Sequence, residues 1–193
     1  MRSGRLAVWL GLAGVLLLGS RVGAQSLTPG PPGPIFVVDV RGVTSGLPTS
    51  SGLYPTVPDG GSVPARGFGY DVGAHVYLFD LGPARLGLGA NVIGVRGTAP
   101  DATATMRIVA PQLSFNFGTS EGWSYLSLGA GTARMQGDET ASSTAINAGG
   151  GARWFIKRHI AVGFDVRLYK IAGDGDTMGA STKLAASVGF SLK

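Results

Sequence analysis

The stretch Arg158 to Ile171, RHIAVGFDVRLYKI, puts Ile160, Val162, Phe164, Val166 and Leu168 at every second place. Between them stand Ala161, Gly163, Asp165, Arg167 and Tyr169. Side chains on a strand point to opposite faces in turn, so this alternation describes a strand with one apolar and one polar face. A soluble sheet turns its apolar row to a core and its charges to water. A barrel in a membrane inverts that arrangement, with lipid outside and charges in the lumen.

The same alternation recurs along the chain, in segments 34–42, 67–79, 85–95, 106–117, 124–135, 144–156, 158–171 and 181–192. Glycine is too frequent in these windows for helix, and each is long enough for a tilted membrane strand. The connections alternate in size. A long Pro/Ser/Gly-rich loop follows the first segment, then come DLGPA, RGTAPDATAT, GTSEGW, QGDETASS, the tight KR, and AGDGDTMGA. Long connections at one end and short turns at the other are what membrane hairpins produce. With an even number of strands, both termini fall at the short-turn end. The expected fold is all-β: an eight-stranded antiparallel up-and-down transmembrane barrel over residues 34–193.

The apolar rows decide which face meets lipid. Phe68, Tyr70, Val72, Ala74, Val76 and Leu78 oppose Gly69, Asp71, Gly73, His75 and Tyr77. Leu184, Ala186, Val188, Phe190 and Leu192 oppose Lys183, Ala185, Ser187, Gly189 and Ser191. A water-facing row would be rich in Lys and Glu, whereas these polar rows carry mostly Gly, Ala, Ser and Asn. Charged residues make up 14% of the chain, against about 25% in soluble domains. A soluble eight-stranded lipid carrier shares the parity but needs a polar exterior, which is missing here. Small side chains suit the interior of a barrel of this size, which side chains can fill. Its charges, Asp39, Arg41, Asp71, Arg153, Asp165 and Arg167, are of both signs. A basic residue at mid-depth on the lipid side would cost roughly 2–4 kcal/mol, so they are expected to pair in the lumen beside His75. Phe36, Phe79, Phe117, Trp123, Trp154 and Phe190 gather near the short-turn end, as an interfacial girdle would.

The first 24 residues read as a secretory signal peptide. Arg2 and Arg5 precede the apolar run LAVWLGLAGVLLLG, and Val22 and Ala24 frame a cleavage site. Residues 25–33, QSLTPGPPG, form a flexible lead-in. Losing Arg2, Arg5 and Arg21 lowers the formal charge from +5 to +2, which gives no case for nucleic-acid binding. The chain has no Cys, and so neither disulfides nor thiolate metal sites.

The segment GGGARWFIKRHIAVGFDVRLY (149–169) resembles the penultimate hairpin of the small eight-stranded outer-membrane β-barrels of the outer-membrane protein A, X and W type. The resemblance implies an antiparallel barrel in a bacterial outer membrane and the outer-membrane insertion machinery as a partner. Such barrels end in an aromatic residue, whereas here SVGFSLK places Phe190 three positions before Lys193.

Chemistry-bearing motifs are few. His75 faces the lumen and His159 flanks the KR turn, so neither is placed to serve a nucleophile at the lipid surface. DGD (174–176) has the acid spacing of a calcium loop but lacks the remaining ligands. GGG (149–151) has no Lys or helix to make a phosphate loop, and is expected to relieve crowding in the lumen. The expected protein is a non-enzymatic monomer without cofactors, serving the envelope structurally or presenting its loops. A narrow channel for ions or small solutes is the first alternative. An adhesin acting through the long first loop, itself read as a floppy segment, is the second.

Five basic residues fall on the lipid-facing parity at the long-loop ends: Arg66, Arg96, Arg107, Arg134 and Lys170. Phe117 to Arg107 and Ile160 to Lys170 each span ten residues. On a strand tilted by about 40° this rises roughly 26 Å, close to the height of the apolar band. These cations are expected at the outer headgroup level, facing lipid and lipopolysaccharide phosphates. Simple snorkelling of the side chains to water is the other reading.

Overall fold

A computed structural model of the chain describes residues 35–118 and 121–193. The expected signal peptide (1–24) and lead-in (25–33) lie outside the described residues. Eight strands follow in order: β1 Phe36–Gly46, β2 Arg66–Asp80, β3 Ala84–Thr98, β4 Thr103–Gly118, β5 Gly122–Gln136, β6 Thr140–Lys157, β7 Ile160–Ile171 and β8 Ser181–Leu192. Each pairs with its sequence neighbours, and antiparallel pairing of β1 with β8 closes the barrel. Closure leaves no unpaired sheet edge, the condition for strands to cross hydrocarbon.

Burial follows the predicted parity. Asp71, His75 and Tyr77 are buried in β2 while Phe68, Tyr70, Val72, Val76 and Leu78 are exposed. The same split runs through β7 and β8. A belt of exposed Leu, Val and Phe all round the wall is an outside built for a nonpolar solvent.

Three of the expected connections differ. The ladders continue above the expected ends through Arg96↔Thr105 to Thr98↔Thr103 and through Arg134↔Ser142 to Gln136↔Thr140. The loops there shrink to 99–102 and 137–139, because Thr and Ser at these positions pair well even where the apolar alternation stops. The 47–65 connection is folded, not floppy. Leu47, Leu53 and Tyr54 are buried in one apolar cluster with Ile93, Met106, Met135, Ile171 and Met178. A short 3₁₀ turn, Ser51–Leu53, aims Leu53 inward, and the Tyr54 hydroxyl donates to the Pro48 carbonyl at 3.1 Å.

The girdle needs one correction. Phe36, Phe79, Phe117, Trp154 and Phe190 are exposed, but Trp123 is buried. It shares the inward parity of Tyr125 and Ser127, so it turns into the lumen and meets Tyr77 and Phe155 edge-on at 5.3 and 5.9 Å.

Candidate functional site

The lumen is filled in three layers. At the short-turn end Val37, Tyr77 and Trp123 pack with Phe155 as an aromatic plug. At the long-loop end lies the apolar cluster covered by Leu47, Leu53 and Tyr54. Between the two sits a band of charged and amide side chains.

All seven lumen residues singled out in the sequence enter that band, and all are buried. Asp39 is one hub. Arg153 Nε and Nη2 donate to its two oxygens at 2.8 and 2.6 Å, and the Ser191 hydroxyl donates at 2.5 Å. Arg41 Nη2 lies 2.6 Å from the same carboxylate and reaches Asp71 at 3.6 Å. Asp71 also accepts from Asn91 and from Ser187 at 2.9 Å. Asp165 is the second hub. It accepts from Arg167 Nε and Nη2 at 3.2 and 2.9 Å and from the Tyr125 hydroxyl at 2.8 Å. Arg167 also donates to Asn147 and Ser127, both at 2.8 Å.

Three aspartates thus face three arginines, so the band is neutral without an added ion when His75 is neutral. His75 donates through Nε2 to Gln112 Oε1 at 3.2 Å. Buried ions are tolerated only when opposite charges meet in this way, because desolvation is otherwise too costly.

Tyr125 ties the hubs together, since the Arg153 guanidinium lies 4.0 Å over its ring while its hydroxyl serves Asp165. Tyr125, Gln112 and Asn147 were not singled out from the sequence, although inward parity marks each of them. The GGG of 149–151 also has its reason here. A Cβ on Gly149 would come within 2.9 Å of the Arg167 side chain, and one on Gly151 within 2.9 Å of the Tyr125 hydroxyl.

The remaining motifs have local structural roles. His159 Nδ1 lies 3.1 Å from the Lys193 carbonyl beside the turn. In DGD, Asp174 accepts from the N–H groups of Thr177 and Met178 at 2.9 and 2.7 Å, which lowers its carboxyl pKa. Among the described residues no cluster of His, Asp or Glu is set to hold a metal ion.

Loop 47–65 is latched to its neighbours. The Leu53 carbonyl accepts from the N–H groups of Asp138 and Glu139 at 3.0 and 3.2 Å, while the Asp138 carboxylate accepts from Thr56. Asp101 accepts from Ser62 N–H at 2.7 Å. On the outside Arg66, Arg96, Arg107, Arg134 and Lys170 are all exposed, below the ends of the extended ladders of β3–β6.

A closed antiparallel barrel with an apolar exterior and a charge-paired interior defines the class: the transmembrane eight-stranded barrel. No family model and no curated protein matches the chain. Solved structures do. Neisserial surface protein A aligns with a TM-score of 0.61 at 16% identity, covering 84% of this chain and 99% of that one. OprG from Pseudomonas aeruginosa aligns at 0.53 and 13%, covering 84% and 97%. Ail, the attachment invasion locus protein of Yersinia pestis, aligns at 0.52 and 12%, covering 81% and 96%. The outer-membrane enzyme PagL aligns at 0.50 and 13%, covering 80% and 99%. The chain therefore has the fold of small bacterial outer-membrane β-barrels. One of these neighbours is an outer-membrane enzyme, so the fold alone does not set the role, which has to come from this chain's own residues.

Proposed function

We propose that the protein is a non-enzymatic, monomeric barrel of the bacterial outer membrane, exported behind residues 1–24, with a lumen closed to solutes. Its task on this reading is structural, holding a rigid lid at the cell surface and lipopolysaccharide around its outer rim. The observation that carries the reading is closure at three levels: the Tyr77–Trp123–Phe155 plug, the paired-ion band and the lid of Leu47, Leu53 and Tyr54. A channel needs a continuous hydrated path, and this lumen offers packed side chains in its place. The lid also counts against an adhesive arm, since its apolar residues point inward and its backbone is tied to 137–139.

Hydrolysis or transfer of a lipid acyl chain would require a nucleophile, a base and an orienting acid open to the membrane. His75, the one histidine in the band, is enclosed by Gln112 and Asp39. Liposome swelling tests the reading. Vesicles carrying the protein should swell in small sugars and amino acids no faster than protein-free vesicles. Faster, protein-dependent swelling would overturn it.

A further inference from the structure

The five outward cations are not an even ring. Arg107 and Arg134 are direct partners across β4 and β5. Arg96 pairs with Thr105, which places it diagonal to Arg107, and Arg66 stands diagonal to Arg96 on β2. Directly opposed side chains are about 5 Å apart at Cβ and diagonal ones about 7–8 Å, and like charges so placed repel. Among the described residues none of Arg96, Arg107 and Arg134 joins an ion pair. The hydroxyls of Thr105 and Ser142 are exposed beside them. Lys170, on β7, faces only Ile146 and Thr182. A row of unneutralised guanidiniums on one side of a barrel calls for a multivalent anion from outside.

The same strands carry a second feature below that row. Two outward positions down from Arg107 comes Pro111, and two down from Arg134 comes Ala130. The β4–β5 ladder passes from Val109↔Thr132 to Gln112↔Gly129 with no pairing at Ala110 and Pro111, where proline has no N–H to give. Here the wall holds a shallow groove lined by Leu88, Pro111, Leu113, Leu128 and Ala130. Four residues of tilted strand put it roughly 10 Å below the guanidiniums, the depth at which acyl chains begin under a headgroup.

We infer that the outward face of β3–β5 is a binding site for one phosphorylated glycolipid of the outer leaflet, lipid A. Arg96, Arg107 and Arg134 clamp its phosphate, and the Pro111–Ala130 groove seats an acyl chain. Arg binds phosphate through paired N–H donors, and a shared phosphate turns the Arg107–Arg134 repulsion into attraction. The site rests on the outer-leaflet placement of the long-loop end in the reading above. Closure of the lumen is read separately by solute flux, so failure of one leaves the other standing.

Native mass spectrometry of the detergent-solubilised protein tests the site, with bisphosphorylated lipid A, dephosphorylated lipid A and phosphatidylglycerol as probes. Wild type should retain bisphosphorylated lipid A in preference to both others. Arg107→Gln with Arg134→Gln should weaken retention about tenfold or more, and Ala130→Phe should weaken it by filling the groove. The heat-dependent gel shift of each variant reports that it has folded. If the double Gln variant does not fold, Arg107→Lys with Arg134→Lys, which keeps the charge but loses the paired donors, should still weaken retention. Undiminished retention by the arginine variants or by Ala130→Phe, or equal retention of phosphatidylglycerol, would overturn the proposal.

Discussion

Arg153 on β6 reaches across the lumen to grip Asp39 on β1 through two hydrogen bonds of 2.8 and 2.6 Å. The two strands are not neighbours in the barrel, so the pair braces opposite walls. Arg153 has no exposed surface, and without it the buried Asp39 carboxylate keeps only Arg41 and the Ser191 hydroxyl, with the band one negative charge in excess. Arg153→Met should therefore destabilise the barrel by about 3–5 kcal/mol. Urea unfolding in phospholipid vesicles, followed by Trp fluorescence, reads the loss. Adding Asp39→Asn to Arg153→Met should restore part of it, since Asp71 and Asp165 then again balance Arg41 and Arg167.

Arg167 belongs to the other hub and should behave alike. Its four hydrogen bonds go to Asp165, Asn147 and Ser127. Arg167→Ala is expected to lower the urea midpoint clearly. An unchanged midpoint would show that the band is solvated and contributes little.

Crowding in the lumen gives a third expectation. Gly149 has the Val166 carbonyl at 2.7 Å and Arg167 Cβ at 2.9 Å from where its own Cβ would stand. Gly149→Val should cost about 1–3 kcal/mol through displaced neighbours. The same unfolding assay checks it.

How much of this was legible in the chain depends on which force sets each feature. Period-two parity follows directly from strand geometry, and so the barrel and its buried charges can be read from Asp71, His75, Asp165 and Arg167. Which acid meets which base depends on strand stagger around the closed barrel, and nothing local in the sequence specifies that Arg153 chooses Asp39. Trp123 was misplaced because an aromatic near a turn suits either a girdle or a plug, and only its parity with Tyr125 decides. The 47–65 lid was missed for a different reason. Its Pro, Ser and Gly suggest a loose loop, yet three apolar side chains, Leu47, Leu53 and Tyr54, suffice to dock it once the barrel offers them a core.

The lid's latch is itself testable. Asp138→Ala removes the acceptor for Thr56 and should free the segment around Leu53. Limited proteolysis on whole cells should then cut within 47–65 faster than in wild type. Equal cutting rates would mean that apolar docking and the backbone hydrogen bonds to Leu53 hold the lid without the carboxylate.

Docking of Tyr54 carries a pH signature. Burial, reinforced by the Asp138 carboxylate, raises its phenol above the ordinary 10.0. A folded-state value raised above the unfolded one gives stability that is complete below the ordinary value and is lost as pH rises through the shifted one. The tyrosinate absorbance titration of wild type minus that of Tyr54→Phe should show a midpoint above that of free tyrosine. A midpoint at or below the free value would place Tyr54 in water.

Planar-bilayer recording of the purified wild-type protein tests the sealed lumen most directly. The Tyr77–Trp123–Phe155 plug, the paired ions and the lid predict no reproducible conductance steps above the bare membrane at any applied voltage the bilayer survives. Stable unitary steps that scale with salt concentration would contradict the account and make the lumen a channel.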